Sequence, residues 1–203
     1  MASLTTSPTK SALDPKVLLM SYLKQLQAKP LRTKMATQGS LSALTEIIAS
    51  YFAYQRPGYG PMITSRVPQM AFYGACIAAP LQHFLMTMAQ KQFPGKILLQ
   101  QLVTMFICFP IQNTVYLSSM AIIAGARTKD QVQGAVKAGL IPMTKAMCAM
   151  HPILITFAKV VVPMEYWPVF FSLVGFSLST FFNTLAKMRR AAAENAEKKD
   201  KET

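Results

Sequence analysis

The sequence is poor in the side chains that most enzymes and metal sites use. It has two histidines and three cysteines, and it contains no glycine-rich phosphate loop. Cys76, Cys108 and Cys148 lie far apart inside apolar segments, which is typical of small packed side chains and not of a metal or redox motif. We therefore expect a non-enzymatic protein that uses no cofactor and no metal. An intramembrane hydrolase would need Glu46 and His83 to meet in space.

Acidic residues are also scarce. Eight Asp and Glu stand against 21 Lys and Arg, and charged residues make up 14% of the chain, whereas a soluble domain has about 25%. The basic residues lie at the two ends and between apolar runs, where they suit anionic lipid headgroups better than a nucleic acid. The expected partner is therefore a lipid bilayer, and we expect no binding to nucleic acid.

The clearest membrane segment is Tyr166–Ala186, which holds 21 residues without a charge. A helix rises about 1.5 Å per residue, so about 20 residues cross a hydrocarbon core of about 30 Å. Trp167 lies at one end, where amphipathic rings favour the interface, and Lys187 begins a basic cluster at the other. This pattern predicts the last transmembrane span.

Three earlier segments are also predicted to span the membrane: Leu31–Tyr54, 67–90 and 97–124. The first carries one charge, Glu46, among small residues, so it belongs in the interior of a bundle. A further apolar segment, 139–162, is either another span or a half-buried lead-in to the last one. The sequence thus predicts an all-α integral membrane helix bundle of about four spans.

Local signals predict where shorter elements begin. Asp14-Pro15 predicts the start of an amphipathic helix that precedes the first span and lies on the membrane surface. Thr128 predicts the N-cap of a short surface helix within Arg127–Lys137. Three prolines predict irregular points in the bundle. Pro80 should kink the second span, Pro110 should break the third, and Pro163 should turn the chain before the last span.

The chain is expected to form one domain with two polar ends. Residues 1–13 are expected to be disordered, residues 14–186 to form the bundle, and residues 187–203 to form a basic cytosolic tail. With four spans, both termini and the 91–96 loop share one side, which carries 14 Lys and Arg against six on the other. The positive-inside rule then predicts cytosolic termini. Five spans would put the termini on opposite sides.

Polar side chains inside the spans are the candidate functional residues. Glu46 either lines a pore or binding cavity, or pairs with Lys145, Lys159 or Arg66. His83, close to the predicted kink, either titrates in a gate or bonds a neighbouring helix. Four amides in the third span either wet a solute pathway or hydrogen-bond between helices; these are Gln100, Gln101, Gln112 and Asn113.

Three sequence blocks share the spacing of a known family. The first, Tyr22–Glu46, has Pro-Leu-Arg near its centre and a glycine before the acid. The second, Gly74–Phe84, ends in Pro-x-x-His-aromatic and is followed by Phe93-Pro94-Gly95. The third is Pro152–Pro163, which precedes an aromatic last span. Over about residues 17–188 the chain resembles the small four-span organelle membrane proteins typified by the twenty-two-kilodalton peroxisomal membrane protein and a related mitochondrial inner-membrane protein.

The chain also departs from the family pattern. His151, Ile155, Ala158 and Trp167 stand where the family has other residues, and Gln100-Gln101 stands where it has Asp-Gln. The chain is therefore similar to a divergent member, of fungal type. The resemblance implies a non-enzymatic integral membrane protein. Some members are described as weakly selective channels for small solutes, and a fungal relative helps to sort the peroxisome-derived organelle that plugs septal pores.

Two functional hypotheses follow. One is a pore for small solutes in an organelle membrane. The other is a structural or sorting protein that forms homo-oligomers through small-residue helix faces. Lys29, Arg32 and Lys34 form a basic cluster that resembles peroxisomal membrane targeting signals, which predicts the peroxisomal membrane and its import machinery as a partner. The mitochondrial inner membrane is the alternative compartment.

Overall fold

The computed structural model describes residues 15–54 and 65–202. The predicted disorder of residues 1–13 lies outside them. The described chain is helical and has no strand, which confirms the all-α prediction. The helices are α1 (Pro15–Ala28), α2 (Pro30–Tyr54), α3 (Arg66–Phe72), α4 (Ala79–Gln92), α5 (Ile97–Val103), α6 (Phe109–Ile123), α7 (Lys129–Val161) and α8 (Trp167–Glu202).

Two π-helical turns join neighbouring helices into long rods. Tyr73–Ala78 joins α3 to α4, and Thr104–Cys108 joins α5 to α6. A residue-proline pair follows each turn directly: Ala79-Pro80 follows the first and Phe109-Pro110 the second. Proline has no N–H and its ring crowds the carbonyl four residues earlier, so a wider turn accommodates it without ending the helix. The helix therefore widens into a π turn before Pro80 and before Pro110, and it continues through both prolines.

Pro163 has a different effect from Pro80 and Pro110. α7 ends at Val161, and Pro163 has an extended conformation with φ −55° and ψ 141°. A single 3-10 turn, Met164–Tyr166, then leads into α8. The chain therefore turns sharply between α7 and α8, as the sequence predicts.

α7 begins as predicted but does not end where expected. Thr128 caps it: the Gln131 N–H donates to Thr128 Oγ1, and the Thr128 N–H donates back to the Gln131 side chain. The predicted short helix over Arg127–Lys137 is wrong as a separate element, because the helix continues without a break to Val161. Gly139, near the expected boundary, fits closely against Leu117 of α6, so it serves packing and not chain reversal.

Among the described residues, three helical segments are long and apolar enough to cross a membrane by length and composition. They are Ile97–Ile123, Lys129–Val161 and Met164–Arg189. The segment 139–162 thus belongs to a candidate span. α2 is less apolar, and it lies at the centre of the bundle, packed against α1, α3, the first π turn, α4 and α8. Its central position confirms that this helix belongs in the bundle interior.

α2 and α8 run in the same direction. Thr45, Glu46 and Ser50 of α2 contact Thr180, Asn183 and Lys187 of α8 in the same order along both helices. The start of α2 and the end of α8 therefore lie at opposite ends of the bundle. The described residues form five helical rods, whereas the expectation that both termini share a side was derived for four spans. The side on which each terminus lies stays a prediction.

Gly74 in the first π turn packs closely against α2. A Cβ added to Gly74 would overlap the Ser42 side chain and lie 2.5 Å from the Gln38 carbonyl oxygen. Glycine at this position lets the π turn contact the backbone of α2 directly.

We expect Gly74→Ala to destabilise the bundle by about 1–3 kcal/mol, because the methyl group must push α2 and the π turn apart. The measurement is thermal unfolding of the purified protein in detergent. Gly134→Ala is the matched control, since a Cβ there meets nothing within 4 Å. It should leave stability unchanged or raise it by about 0.5–1 kcal/mol. Equal stability of the two variants would contradict the close packing.

Candidate functional site: a buried ionic network beside a cavity

Glu46 is the centre of a polar network inside the bundle. It lies on α2 and is 1% exposed. Its carboxylate accepts hydrogen bonds from Lys187 Nζ at 2.7 Å and from Asn183 Nδ2 at 2.8 Å. Lys187 also donates to Ser50 Oγ at 2.7 Å. The network therefore ties the middle and end of α2 to the last apolar turns of α8.

A second cation approaches the same carboxylate. Arg66, the first residue of α3, places its Nε 3.8 Å from Glu46 Oε1. This Nε is buried and makes no hydrogen bond to a described residue, so the contact is electrostatic. One carboxylate thus faces two cations, and three helices meet at this point. A buried charge is costly unless it is paired and hydrogen-bonded, and Glu46 meets both conditions.

Of these two cations, Arg66 was predicted from the sequence as a partner of Glu46, and Lys187 was not. Arg66 was one of the three expected partners, whereas Lys145 and Lys159 are exposed on α7. Lys187 was assigned to the basic tail, but it is buried in the bundle. A signal was available, because Thr180, Asn183, Thr184 and Lys187 recur at i, i+3, i+4 and i+7 and form a polar stripe on an apolar helix.

A cavity of about 470 Å³ lies beside the network. α1, α2, the α3–α4 rod, α6, α7 and α8 all contribute to its wall. Its polar members include Lys34, Gln38, Ser42, Gln82, Gln112 and Asn113, and its apolar members include Leu41, Met70, Met143, Met147, Phe171 and Phe176. Glu46 is not among the lining residues, although its neighbour Thr45 is.

Two of the four candidate amides contribute to the cavity wall. Asn113 Nδ2 donates to Thr144 Oγ1 of α7 at 3.0 Å. Gln112 Nε2 is buried and has no hydrogen-bond partner among the described residues. An unpaired buried amide costs about 1–3 kcal/mol, so this group is suited to a partner that enters the cavity.

The other polar candidates lie away from the cavity. Gln100 donates to the Phe93 carbonyl oxygen at 2.7 Å, and Gln101 bonds His151 of α7 at 2.6 Å. His83 is half-buried and has no hydrogen bond to a described residue. These contacts hold a turn and a helix pair in place.

The three residues of the predicted targeting cluster also differ in whether they line the cavity. Lys29 and Arg32 are exposed at the junction of α1 and α2, whereas Lys34 is half-buried in the cavity wall. The described residues bring together no group of three His, Cys, Asp or Glu side chains that could hold a metal ion.

We expect Lys187→Met to lower the unfolding free energy by about 3 kcal/mol, because it leaves a buried carboxylate with one distant cation. Lys159→Met, at an exposed position, should change stability by less than about 0.5 kcal/mol. The double variant Glu46→Gln with Lys187→Met should lose less than the sum of the single losses, by about 0.5–3 kcal/mol. Thermal unfolding in detergent measures the original chain, the double variant and the three single variants, Glu46→Gln included. Strict additivity would rule out the direct pair.

The comparisons with known proteins agree with this architecture. The Mpv17 / PMP22 family profile matches residues 121–183. The Woronin body membrane protein wscA of Aspergillus fumigatus is 46% identical over 180 residues, which cover 86% of this chain and 79% of that protein. The Woronin sorting complex protein of Neurospora crassa is 45% identical over 180 residues, but these cover 59% of its length.

A more distant relative comes from a plant. The peroxisomal membrane protein PMP22 of Arabidopsis thaliana is 23% identical over 190 residues, which cover 89% of this chain and 96% of that protein. No solved structure gives a significant match. The extent and identity of the fungal matches place the chain among integral membrane proteins of the Mpv17 / PMP22 family.

Proposed function

We propose that the chain is a non-enzymatic structural or sorting protein of the membrane of the peroxisome, or of the Woronin body. The observation that carries this proposal is that polar side chains inside the bundle are paired with one another between helices. Glu46 is paired with Lys187, Gln101 with His151, and Asn113 with Thr144. These pairs join helices that are distant in sequence, so they stabilise a fixed bundle that can present binding surfaces to partners.

Two relatives support the sorting role. Both fungal proteins are named for the Woronin body, one as its membrane protein and one as a sorting complex protein. At 46% and 45% identity over 180 residues, the shared region includes most of the bundle described above. The plant relative named for the peroxisomal membrane supports the same compartment. A sorting complex implies partners, and a second copy of this chain is one candidate.

A pore for small solutes is the second candidate function. The cavity, with Gln112 and Asn113 in its wall, is the observation that favours it. The position of Glu46 argues against it, because this carboxylate is enclosed by its partners and does not reach the cavity. Solute flux into sealed liposomes that contain the purified chain distinguishes the two roles. The sorting role predicts that solute flux does not exceed the flux into empty liposomes.

The direct test is replacement of the relative in Aspergillus fumigatus. In a strain that lacks its Woronin body membrane protein, we expect the tagged chain to enter the peroxisomal and Woronin body membrane and to restore the number of Woronin bodies. Fluorescence microscopy with peroxisomal and mitochondrial markers measures both outcomes.

Two variants sharpen this experiment. Lys187→Met should reduce the rescue because it weakens the bundle, whereas Lys159→Met should rescue as well as the original chain. A mitochondrial location, or correct location without rescue of Woronin bodies, would contradict the proposal.

A further inference from the structure

The cavity extends along α2. Its wall includes Lys34, Gln38, Leu41 and Thr45, which follow one face of α2. Eleven residues separate Lys34 from Thr45, so the cavity extends about 16 Å along the helix. Beyond Thr45 lies the Glu46 network, and Thr180 donates to Thr45 at 3.3 Å. The ionic network therefore borders the cavity beside Thr45.

The two helices that flank the cavity leave a gap between them. α7 packs along α6, and α8 packs along α2, while in the described part of the chain α7 and α8 contact each other sparsely. Phe157 stacks on Phe170 close to the turn that joins the two helices. Farther from the turn, Met143 of α7 and Phe176 of α8 both line the cavity. Because both helices are candidate spans, we expect this gap to face the bilayer.

The polar and charged groups of the wall suit one anionic head. Lys34 lies close to the start of α2, near the membrane surface, and supplies a cation. Gln112 lines the same cavity and carries the unpaired amide nitrogen. An ammonium and an amide donor are complementary to a carboxylate or a phosphate. The remaining wall is rich in methionine and phenylalanine, which adapt to an acyl chain.

We propose that this pocket binds a single-chain lipid with an anionic head group. The head lies between Lys34 and Gln112, and the acyl chain follows α2 towards Thr45. The volume of about 470 Å³ is within the range of about 300–1,000 Å³ that is typical of small-molecule sites. The gap between α7 and α8 admits the ligand from the bilayer. The inference goes beyond the sorting role, which does not require a ligand.

Photolabelling tests the proposal. The purified full-length chain in lipid nanodiscs is titrated with a palmitate analogue that carries a diazirine on its chain, and labelled residues are mapped by mass spectrometry. We expect saturable labelling of cavity residues such as Leu41 and Phe176, and competition by unlabelled palmitate. Competition by lysophosphatidylglycerol at lower concentrations than by palmitate would assign the site to a lysophospholipid, which is also a single-chain anionic lipid. Hexadecanol, with the same chain and a neutral head, should compete at least tenfold less well.

Two pairs of variants locate the site. Gly175 lines the cavity and a Cβ there meets nothing within 4 Å, so Gly175→Phe should fill the pocket and reduce labelling at least tenfold. Gly134→Phe, at an open position outside the cavity wall, should leave labelling unchanged. Lys34→Met should weaken palmitate binding about tenfold, whereas Lys29→Met, at an exposed position outside the wall, should not.

The outcome does not depend on a single substitution. Ser172→Leu also projects into the cavity and should reduce labelling if Gly175→Phe fails to give folded protein. Non-saturable labelling, labelling confined to exposed residues such as Ile153 and Phe181, or equal labelling of the filled and control variants would overturn the proposal. Failure of the original chain to rescue Woronin bodies, while it still shows saturable labelling, would contradict the sorting role alone.

Discussion

The pairing of Glu46 with Lys187 is the interaction on which the rest of the bundle depends. A carboxylate that is 1% exposed requires a partner at hydrogen-bond distance, and Lys187 provides it at 2.7 Å. The pair fixes the direction and register of α8 against α2, and Arg66 brings the start of α3 to the same point. Because α2 contacts most other helices, the position of this one carboxylate constrains the whole arrangement.

The network also separates the two ends of the bundle. On one side lies the cavity, which ends at Thr45, and on the other α8 continues beyond Lys187 as a charged helix. A buried ionic network suits a protein that holds a fixed shape in the membrane, and the proposed lipid site lies in the cavity beside it. The proposed sorting role and the proposed lipid site thus use different parts of one rigid scaffold.

Much of this fold was predictable from local sequence. The Thr128 cap, the turn at Pro163 and the central position of α2 each depend on neighbouring residues or on composition alone. The partner of Glu46 was not predictable in that way. Lys187 directly follows an uncharged run and resembles a headgroup anchor. Local sequence also left open whether 139–162 forms a full span, because Pro142 and Pro152 lie within it. Which cation meets a buried acid depends on contacts between distant segments, and Glu46 and Lys187 are 141 residues apart.

Cysteine cross-linking in native membranes tests the parallel packing of α2 and α8 most directly. In a chain whose three native cysteines are replaced by alanine, Thr45→Cys with Thr180→Cys should form an intramolecular disulfide under mild oxidation, because the two side-chain oxygens are 3.3 Å apart. Thr45→Cys with Leu173→Cys, an exposed position about two turns (roughly 10 Å) earlier on α8, should not, because it is beyond the reach of a disulfide. Cross-linking of the control pair alone, or no intramolecular product from either pair, would contradict the account.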